Sequence, residues 1–159
     1  MSELQKAIEL RYGGKYDQAK EILLKLTQAE PENATALYQC ACVHDNLGLE
    51  REAVPFYTAA LQKDLTTEER KGALLGLGST YRTIGDYEKA KATLEEGLDL
   101  YPVAQEFHVF YSMVLHNLGE HSKAMEILLK KIVELSDEPG IEHYKRAILF
   151  YSDKIDQIW

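Results

Sequence analysis

A glycine followed five positions later by an alanine occurs four times in this chain: Gly14 and Ala19, Gly48 and Ala53, Gly85 and Ala90, Gly119 and Ala124. The glycines are 34, 37 and 34 residues apart. A fixed period of that size marks a helical-hairpin repeat, in which each unit buries its apolar face only by stacking on its neighbours. The backbone explains the glycine. A helix ending near Leu47, Ile84 or Leu118 needs a stop, and glycine takes the left-handed conformation there without a side-chain clash. Packing explains the alanine, whose methyl group in the first turn of the next helix lets the two helices approach closely.

Between these turns apolar residues recur at helical spacing, as in Ala19, Ile22, Leu23 and Leu26, then Ala90, Leu94 and Leu98. The pattern predicts helices over 2–12, 16–28, 34–47, 50–63, 68–84, 87–100, 104–118, 121–135 and 140–157. Pro31 and Pro102 stop second helices, whereas Pro55 lies near the first turn of its helix. The longer second period is explained by Leu65-Thr66-Thr67-Glu68-Glu69, a hydroxyl N-cap with acidic residues behind it.

Composition narrows the function. The 159 residues are 45% hydrophobic and 28% charged, which suits a globular chain of one domain. A net charge of −8 repels a polyanion, so nucleic acid is set aside as a partner. The segment MSELQKAIELRYGG mixes acidic and basic residues where a signal peptide would be apolar, and no span reaches membrane length. Cys40 and Cys42, two apart on one predicted helix, point to different faces and cannot bridge; a reducing cytoplasm is the expected compartment.

The third repeat carries Leu74, Leu77, Gly78, Tyr81, Gly85, Asp86, Tyr87, Ala90, Leu98 and Pro102. The second keeps Leu37, Ala41, Gly48, Ala53, Tyr57 and Ala60, and the first Gly14, Tyr16, Ala19 and Pro31. The fourth departs most, with His108, Ser112 and Lys131 at family positions. This pattern resembles the tetratricopeptide repeat over residues 3–136, and the chain is similar to small bacterial proteins built from that repeat alone. The resemblance implies an all-α, right-handed superhelical stack of four helical hairpins (about 3–33, 34–66, 71–103 and 105–137) closed by a capping helix at about 140–157, in one domain. It also implies a concave groove, lined by first helices, that takes an extended or helical segment.

Threading the repeats onto the family pattern places Tyr38, Leu75 and Val109 at one groove position. Gln39, Gly76, Phe110 and Cys42, Ser79, Met113 lie alongside, with Asn46, Arg82 and Asn117 nearby. The strip is mostly apolar. Arg82 alone is basic, flanked by Asp45 and His116, so a clamp for a C-terminal carboxylate, which needs several converging donors, is disfavoured. The expected function is a non-enzymatic adaptor binding an apolar or amphipathic protein segment. Tyr38, Phe110 and Met113 are its anchors. The alternatives are a homodimer that buries the groove or the last helix, and a secretion-type chaperone for a client protein. Gly76 either opens a pocket in the groove or allows close helix packing.

The last helix carries Ile141, Tyr144, Ile148, Tyr151, Ile155 and Ile158 at steps of three and four, a stripe that suits a cap or a self-association surface. No P-loop, dinucleotide fingerprint, HExxH or CxxC motif is present, so no enzyme activity, cofactor or metal is expected. His116 and His121 are five apart, outside the one-turn spacing of a helical metal pair. Cys40 is expected in the core and Cys42 nearer the surface.

Overall fold

The computed structural model describes residues 1–159 and holds nine α-helices and no strand. They are α1 (Glu3–Tyr12), α2 (Tyr16–Ala29), α3 (Ala34–Asn46), α4 (Glu50–Leu61), α5 (Thr67–Thr83), α6 (Tyr87–Leu100), α7 (Gln105–Asn117), α8 (His121–Leu135) and α9 (Pro139–Ser152). The chain forms two compact units, Met1–Thr93 and Leu94–Trp159, with α6 divided between them. No helix is long and apolar enough to cross a membrane.

The four turns are built alike. Gly14, Gly48, Gly85 and Gly119 have φ of 75°, 71°, 84° and 85°, and no other residue has a positive φ. The residue after each glycine returns its amide to a carbonyl five positions back, as Leu49 N to His44 O at 2.9 Å and Glu120 N to Leu115 O at 2.8 Å. Each glycine amide bonds three back, as Gly48 N to Asp45 O at 3.0 Å. This paired closure satisfies the last carbonyls of the first helix and reverses the chain, and it needs a residue in the left-handed region. Ala19, Ala53, Ala90 and Ala124 follow, all buried.

At the start of α5 the expected cap is complete. Thr66 Oγ1 accepts from Glu69 N at 3.2 Å, and the Glu69 carboxylate accepts from Thr66 N at 3.1 Å. Pro55 sits in the second turn of α4 rather than the first, on an exposed face. There the Arg51 carbonyl loses its helical donor on the solvent side, where water can replace it.

In unit 1, α3 packs against α1, α2, α4 and α5. One core cluster joins Ala7, Ala19, Leu23, Cys40 and Val43; a second joins Ala41, Ala53, Tyr57, Ala73 and Leu77. Burying a side chain the size of Leu23 contributes roughly 1.5–3 kcal/mol. His44, buried in α3, places Nδ1 2.7 Å from the Cys40 carbonyl and stacks on Phe56 at 5.0 Å between centroids. The carbonyl can only accept, so Nδ1 carries the proton. His44 is a packing residue.

In unit 2, α8 packs on α7 and α9 on α8. Phe107 is fully buried against the backbone at Gly97 and stacks on Tyr101 at 6.2 Å between centroids. The eight earlier helices end within two residues of their predicted bounds, but α9 stops at Ser152 instead of 157. After it the tail turns back, so that Trp159 lies 5.6 Å from the Phe150 ring and 6.2 Å from that of Tyr151.

Candidate functional site

The first helices of unit 1, α1, α3 and α5, lie side by side, with α3 touching both others. On them stand eight of the predicted groove residues. Tyr38, Cys42, Leu75, Gly76, Ser79 and Arg82 are half-buried, Asn46 is exposed and Gln39 is buried.

Gln39 is held rather than available. Its Oε1 accepts from Arg11 Nε at 2.9 Å, and Arg11 Nη1 reaches Asn46 Oδ1 at 3.5 Å. The same guanidinium lies 4.4 Å from the centroid of the Tyr12 ring. The sequence reading of the strip therefore missed a cation. Arg11 stands three residues before Gly14 as Asp45 and Arg82 stand three before Gly48 and Gly85, so the repeat pattern carried the signal. Two of its five N–H donors are engaged in these bonds.

Gly76 does not open a pocket. A β-carbon there would meet the Tyr57 side chain, with the hydroxyl oxygen at 2.5 Å and Cζ at 2.6 Å, so the space is already filled by a buried ring from α4. The close-packing reading is the correct one. Gly72, one turn earlier, gives the same clearance to the Tyr38 ring. Tyr38 and Tyr57 lie 6.5 Å apart between centroids, and both hydroxyls turn toward the Cys42 thiol. Burial pushes both phenols and both thiols upward, that of Cys40 to about 12.

Beneath this strip lies an acid. Asp45 Oδ2 accepts from the Tyr57 hydroxyl at 2.7 Å, and Thr80 Oγ1 is 2.9 Å from both carboxylate oxygens. Burial raises the Asp45 carboxyl above its ordinary range, and these two hydroxyls oppose that rise. Beside it is a small cleft of about 170 Å³ lined by Glu50, Ser79, Thr80 and Thr83. The surface thus pairs apolar Tyr38 and Leu75 with a positioned cation and a carboxylate anchored from below.

The other predicted groove residues belong to unit 2. On α7, Val109, Phe110 and Asn117 are half-buried and Met113 is 38% exposed. His116 and His121 meet across the α7–α8 turn despite their spacing, with Nδ1 atoms 3.0 Å apart, because the glycine turn folds the two helix ends together. On α9, Ile141 and Ile148 are half-buried, whereas Tyr144 and Tyr151 are exposed; Ile155, also exposed, lies beyond the helix end. Ile141, Ile148 and the buried Ser152, at steps of seven and four, mark the covered side of α9, and the tyrosines stand at its edge.

Residues 34–155 match the tetratrico peptide repeat family. No curated protein matches the chain in sequence. Among solved structures, MamA is similar at a TM-score of 0.72 and 22% identity, over 93% of this chain and 88% of that one. YrrB, described as a TPR protein with an unusual peptide-binding site, is similar at a TM-score of 0.72 and 20% identity, over 96% and 73%. Pseudomonas aeruginosa PilF is similar at 0.70 and 21%, over 96% and 68%. The repeated glycine turns, the all-α hairpins and these likenesses have one account: the chain belongs to the tetratricopeptide repeat family.

Proposed function

We propose that this protein is an adaptor that binds an apolar or amphipathic segment of another protein along the first-helix face of unit 1. The observation that carries the reading is the arrangement of Arg11 beside an apolar strip. Gln39 and Asn46 fix the guanidinium near Tyr38 and Cys42, with further donors left for carbonyl or carboxylate oxygens of a bound segment. A side chain held in place before binding loses less entropy when the ligand arrives. That YrrB is described as having a peptide-binding site supports the class of ligand. On α7, Val109, Phe110 and Met113 are further anchor candidates, with Asn117 as a polar neighbour.

Selection of random peptides displayed on phage against the immobilised full chain tests the reading. Enriched peptides should carry apolar residues with an acidic side chain or terminus, and Leu75→Lys or Arg11→Ala should weaken them at least tenfold, about 1.4 kcal/mol. If no peptide is enriched, or if enriched peptides bind both variants as well as the parent chain, the adaptor site is not here.

A further inference from the structure

The fourth glycine turn holds a pair of imidazoles. The positions three residues before and two after the turn glycine carry Asp45 and Glu50 around Gly48, and His116 and His121 around Gly119. The turn brings these two positions together. Asp45 and Glu50 line one cleft, and the rings of His116 and His121 lie 4.6 Å apart between centroids. Gly119 N bonds to His116 O at 3.0 Å and Glu120 N to Leu115 O at 2.8 Å, so the backbone beneath both rings is fixed. Of the four turns only this one carries imidazole at both positions, and both side chains are exposed.

We infer that His116 and His121 form a chelating site for a divalent transition-metal ion, Ni(II) or Cu(II), bound through Nδ1 of each ring. The spacing of five that rules out a pair along one helix does not apply, because the residues stand on α7 and α8 with the turn between them. Their Nδ1 atoms are 3.0 Å apart. Metal–imidazole bonds of about 2.0–2.1 Å span ~2.9 Å when they meet at a right angle, whereas the tetrahedral angle spans ~3.3 Å. The separation therefore suits two adjacent positions of a square-planar or octahedral ion, the geometries that Cu(II) and Ni(II) prefer.

The orientation of the rings agrees. A straight N–H···N bond at this Nδ1 separation would carry the centroids to ~5.3 Å, because both nitrogens would then lie on the line between them. Nitrogens aimed at one shared ion leave the centroids ~4.6 Å apart, the distance observed. Without an ion, one ring must hold its proton on Nδ1 and donate it to the other; with one, both hold it on Nε2 and both lone pairs face the metal. The chain's net charge of −8 draws a cation in. No third His, Cys, Asp or Glu completes a set of three here, so water fills the remaining positions and the ion is exchangeable.

Isothermal titration of the full, untagged chain with NiCl2 tests this. One Ni(II) should bind per chain, and His116→Gln and His121→Gln should each raise its Kd at least tenfold with helicity retained, since both side chains are exposed. His143→Gln, which removes an exposed ring on α9, should leave it unchanged. A chain that takes up no Ni(II) overturns the inference. So does parent-like binding in either single variant, or an equal loss with His143→Gln. A readout on the parent chain needs no variant: in nuclear magnetic resonance, substoichiometric Ni(II) should broaden the ring signals of His116 and His121 before those of His143. Broadening led by His143, or equal at all three, overturns the assignment.

Discussion

The ring of Tyr57 lies so close over the backbone of Gly76 that a β-carbon at that position would come within 2.6 Å of Cζ. Tyr57 is almost fully buried and tied to Asp45, so it has no room to withdraw. Replacing a helical glycine by alanine ordinarily gains up to ~1 kcal/mol. At Gly76 the clash, typically ~1–3 kcal/mol for overpacking, outweighs that gain. Gly76→Ala should lower stability by about 1–2 kcal/mol in urea unfolding. Gly140→Ala, where nothing lies within 4 Å, should raise it by about 0.5–1 kcal/mol, and a gain at both positions would contradict the packing account.

The Tyr57 hydroxyl also compensates a half-buried carboxylate. Burial raises the Asp45 carboxyl, so the folded state holds its proton more tightly than the unfolded chain does. A raised acid contributes stability below its unfolded value near 3.8, and that contribution is lost as pH rises through the folded value. Tyr57→Phe removes a donor that lowers the folded value and so deepens the loss at neutral pH. We expect a cost of about 1–2 kcal/mol at pH 7 that shrinks toward pH 4. A cost independent of pH would mean that the ring's packing, not its hydroxyl, responds to the change.

Those two residues also mark where the sequence stops being informative. The turns were legible because a left-handed backbone leaves a mark in one residue type, and each of the four glycines stands where its turn closes. Helix limits followed from the same punctuation until α9. There the apolar stripe continued, but the chain turned to set Trp159 on Phe150. Gly76 was ambiguous because a missing side chain looks the same whether the space is empty or filled from another helix. Arg11 was overlooked for a related reason: its partners, Gln39 and Asn46, are 28 and 35 residues away, and only the repeat register connects them.

The cap at α5 gives a test at the sequence-legible end. Burial works against the Glu69 charge, yet hydrogen bonds from the Thr35 hydroxyl at 2.7 Å and from the Thr66 amide and hydroxyl hold its carboxyl below the usual range. A lowered acid contributes stability above its unfolded value, lost as pH falls through the folded one. Thr66→Ala should cost about 1 kcal/mol at pH 7 and flatten the acid limb of the stability profile. An unchanged midpoint in thermal unfolding would show that the box does not hold this helix start.

Thiol chemistry tests the core of unit 1. Cys40 has no exposed surface, and burial pushes its thiol up to about 12; Cys42, half-buried between two tyrosines, is pushed up as well. Against a free thiol near 9.0, a value of about 12 cuts the thiolate population at pH 8 roughly a thousandfold. Neither cysteine should react with a disulfide reagent at pH 8 within the time that a free thiol takes, and both should react in guanidinium. Because the Cys40 value is raised on folding, its contribution to stability is whole below pH 9 and is lost as pH climbs through about 12, so alkali should expose both sulfurs together. Rapid labelling of Cys40 in the native state would mean that α2 and α3 part far more readily than a core holding Ala7, Leu23 and Val43 against that sulfur allows.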